Sequence, residues 1–249
     1  MTSYPDPRFA TMGRTATAEA VDQGLRAYML KVYNYMASAL ALTGLVAYLV
    51  AHTPALMQML YVVSPRGIQP TMLGWVVMFA PLALVFFLSM KIGSMQVRTA
   101  QTVFWVYAGL VGASLAYIFA LYTGASIARV FFITSAAFAG LSLYGYTTKR
   151  NLSGMGSFLI MGLIGGIVAM VVNMFLQSTV LDLALSAMFL LIFAGLTAYD
   201  TQKIKSMYFA YGDSQEIAEK TAVMGALSLY LDFLNMFLIM LRFMGNRNQ

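Results

Sequence analysis

Two acidic residues lie in strongly apolar stretches of the chain, where a carboxylate has an unusual environment. Asp232 lies near the middle of the stretch Met224–Met244, which is long and apolar enough to cross a bilayer. Asp200 ends the preceding hydrophobic stretch. Inserting a carboxylate at the centre of a bilayer costs roughly 2.5–3.5 kcal/mol or more, so such acids face a protein interior or a water-filled cavity. We therefore expect these two side chains to point into a bundle of helices.

The stretch around Asp232 also carries two other polar side chains at helical spacing. Ser228 precedes the acid by one turn, and Asn235 follows it by nearly one turn. Residues three and four apart lie on the same face of a helix. The spacing predicts a polar stripe of Ser228, Asp232 and Asn235 on an otherwise apolar helix.

Two carboxylates in a shared low-dielectric site suit a particular chemistry. They cannot both ionise cheaply, so a close pair tends to share a proton. Carboxylate oxygens are also the hard ligands that Ca²⁺ prefers. Because a shared proton and a bound cation compete for the same oxygens, Asp200 and Asp232 are predicted to form a pH sensor and a transient Ca²⁺ site on one ion pathway.

Simpler interpretations of both acids stay open from the sequence. Asp200 precedes Lys203 by three residues, and the two side chains would form an ion pair at the headgroup boundary. Asp232 would be a structural acid that is hydrogen-bonded to neighbouring helices. Asp182, near the start of the sixth hydrophobic stretch, suits the positive end of a helix dipole and is interpreted as structural.

Composition places the chain among membrane proteins and excludes several other classes. Apolar residues make up 60% and charged residues 10% of the sequence, whereas about 25% are charged in a soluble domain. Cys is absent and His52 is the single His, which excludes disulfides, thiolate metal sites and His-cluster metal sites. The net charge of +6 is interpreted as a topology signal, and no nucleic-acid partner is predicted.

No enzyme signature is present, and no cofactor is expected. The sequence contains no Walker loop, no GxSxG elbow and no HExxH motif. Intramembrane aspartyl proteases also pair two Asp residues, in a YD and a GxGD motif. Tyr199-Asp200 matches the first motif, but Asp232 lies in YLDF and does not match the second. We therefore predict that the protein is not an enzyme.

Hydropathy divides most of the chain into seven membrane spans joined by short loops. The predicted fold is an all-α membrane protein, a seven-transmembrane-helix bundle, with a polar N-terminal tail over residues 1–25 and one membrane domain over residues 26–249. The spans are expected at about Leu30–Val50, Met72–Met90, Thr99–Tyr122, Ser126–Tyr146, Ser157–Phe175, Val180–Tyr199 and Met224–Met244.

The distribution of Lys and Arg predicts an orientation. With the N-terminus in the cytoplasm, all but four of the 15 basic residues fall on the cytoplasmic side, and the exceptions are Arg66, Arg129, Arg242 and Arg247. Seven spans then place the C-terminus outside. Asp200 and the cytoplasmic half of the last span share a side of the bilayer, as a functional pair requires.

Three segments resemble the Bax inhibitor-1 family, in its bacterial branch. They are GLTAYDTQKIK at residues 195–205, ALSLYLDFLNMFLIMLRFMG at residues 226–245 and VYNYMASALALTG at residues 32–44. The resemblance implies a bundle whose C-terminal helix is central and wrapped by the other six. It also implies a pH-sensitive calcium leak in the bacterial inner membrane, with Asp200 and Asp232 as the di-aspartyl sensor.

The resemblance further implies a basic latch and leaves a second function open. In bacterial members an Arg at the cytoplasmic end of the second span is linked to the sensor, and the nearest match here is Lys91, with Arg98 further on. The alternative to a leak channel is a non-conducting regulatory protein that acts through partners, such as a membrane protease or cell-death machinery. The bilayer, Ca²⁺ and protons are the other expected partners.

Overall fold

The computed structural model describes residues 7–64, 67–211 and 214–248. Long helices account for most of this part of the chain, and three short elements connect them. The long helices are α1 (Pro7–His52), α3 (Met72–Lys91), α4 (Val97–Ser114), α6 (Gly124–Thr147), α7 (Ser153–Leu176), α8 (Thr179–Tyr211) and α9 (Gln215–Met244). The short elements are helix α2 (Pro54–Leu60), helix α5 (Tyr117–Leu121) and a hairpin of β1 (Tyr61–Ser64) and β2 (Gly67–Pro70).

Seven segments are long and apolar enough to cross a membrane, which confirms the predicted number of spans. The third span comprises α4 and α5 together, and the first span covers residues 22–52 of the longer α1. The predicted boundary at residue 25 falls inside α1. Residues 1–6 lie outside the described part, so the division into a tail and a membrane domain stays a prediction.

The last two helices extend well beyond the apolar stretches that predicted them. α8 continues for eleven residues beyond Asp200, to Tyr211, and α9 begins at Gln215, before its apolar part. Hydropathy misses these turns because they carry Lys, Gln and Glu side chains. Asp200 therefore lies within regular helix and not at its end, so its backbone position is fixed by hydrogen bonds on both sides.

The first loop contains a β-hairpin that the sequence did not predict. Its two strands are antiparallel, with Tyr61 opposite Pro70 and Val62 opposite Gln69. The Tyr61 hydroxyl donates a hydrogen bond to the Ser114 carbonyl at 2.5 Å, which fastens the hairpin to the end of α4. Burial, together with the neighbouring Tyr117 hydroxyl, raises the pKa of Tyr61 to about 12.

The C-terminal helix is central, as the resemblance implied. α9 packs against α8, α1, α6 and α4, and more than half of its apolar segment is buried inside the protein. α3 packs mainly on α4, and α7 packs mainly on α8. These four helices form most of the contacts with α9, and α3 reaches the same core through the buried Leu88.

Small residues allow the closest helix contacts. A Cβ at Gly145 of α6 would lie 2.9 Å from the Cα of Ala198 in α8, so the two backbones touch. A Cβ at Gly166 of α7 would lie 2.7 Å from the Phe189 ring of α8. Gly162, one turn earlier in the same GxxxG pair, also faces α8. These contacts hold α8 between α6, α7 and α9, and α8 carries one of the two acids.

Candidate functional site

Asp232 is buried in the centre of the bundle. Asp232 is only 3% exposed. It lies on α9, the most buried of the described helices. Its Oδ2 atom is buried and has no hydrogen-bond partner among the described residues. A buried polar atom without a partner costs about 1–3 kcal/mol, and more when it is charged. The interpretation of Asp232 as a hydrogen-bonded structural acid therefore finds no support at Oδ2.

The packing of α8 on α9 sets the two acids at the same level. The helices run antiparallel, with Ile204 against Gly225 and the Thr197 hydroxyl 3.5 Å from the Met236 sulfur. Between these two contacts, Asp200 of α8 falls opposite Asp232 of α9. Their carboxylates are close enough for their charges to interact. The structure thus brings together the two acids that the sequence singled out.

One cation, Lys203, acts on this pair. Its charge interacts with the Asp200 carboxylate, but no ion pair within 4 Å joins them in the described part of the chain. Asp200 is half-buried and Asp232 is nearly inaccessible, so Lys203 acts at the outer edge of the pair. The ion pair between Asp200 and Lys203 that the simpler interpretation predicts is therefore not formed among the described residues, and only a longer-range charge interaction joins the two.

The structure does not bring the expected latch residue to the pair. Lys91 lies in the last turn of α3 with an exposed side chain, and it forms no ion pair with a described acid. Arg98, in the first turn of α4, is also exposed. α3 packs mainly on α4, and its buried Leu88, not Lys91, joins the core around α9.

The two polar neighbours on α9 flank the acid without binding it. Ser228 and Asn235 are half-buried, whereas Asp232 is buried. The Asn235 side chain donates to the Leu231 carbonyl of its own helix at 2.8 Å. The three polar residues therefore lie on one face of α9, as predicted. Neither Ser228 nor Asn235 forms a hydrogen bond with the Asp232 carboxylate among the described residues.

A chain of hydroxyl groups beside Asp200 was missed by sequence reasoning. The Tyr33 hydroxyl contacts the Ser142 hydroxyl at 2.6 Å, and Ser142 contacts the Thr201 hydroxyl at 2.9 Å. Thr201 donates to the Thr197 carbonyl at 2.7 Å. The chain links α1, α6 and α8 at the level of the acids. Its sequence signal was the pair of Thr residues four apart around Asp200.

This hydroxyl chain begins at a cleft between α1 and α6. The cleft has a volume of about 480 Å³ and is lined by Tyr33 and Ser142, with Arg26 among the other lining residues. Thr201, at the far end of the chain, is fully buried next to Asp200. Polar groups therefore extend from an open cleft to Thr201, the residue that follows Asp200.

A second buried polar contact lies beside the site on α9. The Tyr230 hydroxyl contacts the Thr43 hydroxyl at 2.7 Å, and Thr43 donates to the Ala108 carbonyl at 2.9 Å. Tyr230 and Thr43 are both buried. Because this contact ties α9 to α1 and α4 two residues before Asp232, it fixes the rotation of the central helix.

Asp200 and Asp232 are the two carboxylates at this site, and no third acidic, His or Cys ligand joins them among the described residues. The described residues contain no group of three or more His, Cys, Asp or Glu side chains that could hold a metal ion. Ca²⁺ takes six to eight oxygen ligands, so two carboxylates would need water or backbone oxygens to complete its shell.

The remaining acids on these helices form ion pairs near the ends of the bundle. Asp182 in the first turn of α8 pairs with Arg242 near the end of α9, in keeping with its structural interpretation. At the opposite end, Glu219 of α9 pairs with Lys31 of α1 at 2.7 Å. Asp213, which the sequence places in the same acidic segment as Glu219, lies outside the described residues.

These features define a class of protein: a seven-span helical membrane protein with an acid buried in its central helix. The family described as "Inhibitor of apoptosis-promoting Bax1" matches residues 25–249. The chain belongs to this Bax inhibitor-1 family, as the resemblance indicated.

Bacterial relatives match the chain over almost their whole length. A protein of Rickettsia prowazekii named "Uncharacterized protein RP147" is 49% identical over 95% of this chain and 97% of its own length. The "Inner membrane protein YbhL" of Escherichia coli is 42% identical over 90% of this chain and 93% of its own length. Neither name nor the family description indicates an enzyme.

Proposed function

We propose that this protein is a pH-sensitive calcium leak channel, gated by Asp200 and Asp232. The observation that carries the proposal is the unpartnered Oδ2 atom of Asp232, buried in the central helix opposite a second carboxylate. A buried ionised carboxylate without a donor or a cation is strongly disfavoured. Binding of either a proton or a cation removes this energetic cost. The charge state of the pair therefore depends on both pH and cation concentration.

The burial of the pair defines the state of the gate. Asp232 is 3% exposed, so water and ions do not reach it in this conformation, and the proposal assigns this conformation to the closed state. Passage of Ca²⁺ requires that α9 and the helices around it separate at the level of the acids. Protonation removes the repulsion between the carboxylates and stabilises the closed packing, whereas ionisation of both favours separation and entry of a cation.

The experiment is Ca²⁺ flux into liposomes that contain the purified full-length protein and no other protein. A leak channel gives flux above that of empty liposomes, and the flux changes with pH. Flotation of the liposomes shows independently that the protein is incorporated. With the protein incorporated, the absence of flux at every pH between about 5 and 8 would contradict the proposal.

The second candidate is a non-conducting regulator that acts through protein partners. The family description, which names an inhibitor of an apoptosis-promoting protein, favours it. The flux experiment separates the candidates, because a channel conducts without a partner and a regulator does not. A membrane protease is one partner class, and its co-purification with a protein that lacks flux would support regulation.

The proposed location is the bacterial inner membrane, with the N-terminus in the cytoplasm and the C-terminus outside. The support is the distribution of Lys and Arg and the name of the Escherichia coli relative. A reporter fused after the last residue should behave as external, and a reporter inserted between α8 and α9 should behave as cytoplasmic. The reverse pattern would overturn the orientation.

A further inference from the structure

A basic pocket lies where the loop between α6 and α7 meets the side of α8. It has a volume of about 370 Å³, and three of its lining residues are Lys149, Arg150 and Lys203. None of its lining residues is acidic. The pocket therefore gathers three positive charges at the ends of membrane spans, where lipid headgroups lie.

Hydrogen bonds hold the loop side of this pocket in a defined shape. The Gln202 side chain accepts from the Leu152 backbone N–H at 2.8 Å and donates to the Arg150 carbonyl at 2.8 Å. Gly156 lets the first turn of α7 lie directly on the Tyr199 ring, where a Cβ would clash. The loop backbone beside the pocket is thus held in place, and the exposed side chains of Lys149, Arg150 and Lys203 extend from fixed positions.

The three cations form no ion pair with a described acid, as is also true of Lys91 and Arg98. Lys31, Lys220 and Arg242 each form an ion pair with an acid. In the described part of the chain, no carboxylate lies within ion-pair distance of Lys149, Arg150 or Lys203. Lys203 has two weaker neighbours, the Tyr199 ring at 6.0 Å and the more distant charge of Asp200.

The start of α7 adds further positive potential. α7 begins at Ser153, which lines the pocket, and it is 24 residues long. The N-terminus of a helix carries a partial positive charge and free N–H groups, which favour anions. Three unpaired cations, a preformed cavity and a helix N-terminus converge on one space.

We propose that this pocket binds a phosphate group, such as the phosphodiester of an anionic phospholipid headgroup. Basic pockets between membrane helices are typical sites for anionic headgroups. Arg and Lys both bind phosphate, and Arg does so with two parallel hydrogen bonds. The pocket is separate from the acid pair, because Asp200 and Asp232 do not line it, and Lys203 is the residue that neighbours both.

The test is a titration of phosphatidylglycerol into the purified protein in neutral detergent, with bound lipid counted by native mass spectrometry. We expect saturable binding of one lipid to the wild type. The variant Lys149→Gln/Arg150→Gln should bind about 30-fold more weakly, because each Lys or Arg near an anionic group contributes roughly fivefold in affinity. Lys203 is left unchanged, so that the surroundings of Asp200 stay intact.

The matched control is Lys91→Gln/Arg98→Gln, which removes two exposed charges near the same ends of the spans. It should bind phosphatidylglycerol like the wild type. Equally weakened phosphatidylglycerol binding in both variants, or unchanged binding in both, would contradict the proposed site. Melting temperatures within about 2 °C of the wild type, a shift of roughly 1 kcal/mol or less, show that both variants are folded.

Competition with glycerol 3-phosphate identifies the source of the phosphate. Displacement of the lipid at millimolar concentration supports a soluble phosphate ester as the ligand. Retention of the lipid supports a membrane lipid. Binding of phosphatidylglycerol no tighter than that of phosphatidylcholine would contradict a phosphate site formed by unpaired cations, since the zwitterionic headgroup carries a compensating charge.

Discussion

Replacing Gly145 by Ala tests whether contact between the α6 and α8 backbones positions the acid-bearing helix. The new Cβ would lie 2.9 Å from the Cα of Ala198 and closer still to its carbonyl oxygen. Backbone atoms cannot rotate away as a side chain can. The two helices must therefore separate by several tenths of an ångström, in the region where Ser142 contacts Thr201.

The magnitude follows from a comparison with Gly140→Ala in the same helix. Gly140 is exposed and has no atom within 4 Å of the added Cβ. Both substitutions gain the same helix propensity, about 0.5–1 kcal/mol relative to Gly. The difference between the variants therefore measures overpacking alone, which typically costs about 1–3 kcal/mol. For a protein of this size that difference corresponds to roughly 2–12 °C in melting temperature.

The assay is thermal unfolding of both variants in the same detergent, followed by tryptophan fluorescence or by solubility. Gly140→Ala should melt at or above the wild-type temperature, and Gly145→Ala should melt below it. Equal melting temperatures for the two variants would refute the close backbone contact between α6 and α8.

Three further predictions concern single positions, and the last has a control variant. Tyr230→Phe should lower the free energy of unfolding by about 1 kcal/mol in denaturation experiments, because the buried hydrogen bond to Thr43 is lost. Gly166→Leu should lower it by about 1–3 kcal/mol, because even its Cβ lies 2.7 Å from two side chains of α8. Lys203→Met should move the midpoint of a flux–pH profile to higher pH, because the ammonium favours the ionised form of the nearby carboxylate. Lys91→Met, at an exposed position without an ion pair, should leave that midpoint unchanged.

The number of spans and the two acids were predictable because both depend on strong local signals. A bilayer demands long apolar stretches, and Asp232 in such a stretch stands out by its residue type alone. The extra turns of α8 and α9 were not predictable from hydropathy, since their side chains are polar and project beyond the apolar region.

The contacts around the acids depend on packing, which no local pattern encodes. Lys91 was expected near the two acids from the family resemblance, but its side chain is exposed at the end of α3, which packs mainly on α4. Lys203 lies near Asp200 because both are on α8. The link from Tyr33 through Ser142 to Thr201 joins three helices and could be found only from their arrangement.

The central claim is that Asp200 and Asp232 act as one titrating unit that controls passage of Ca²⁺. The most direct measurement is Ca²⁺ flux against pH in proteoliposomes for the wild type, Asp200→Asn and Asp232→Asn, with Asp182→Asn as the matched control on α8. The account predicts that both sensor variants change the pH dependence and that the control keeps the wild-type profile. Wild-type profiles for the two sensor variants would contradict it.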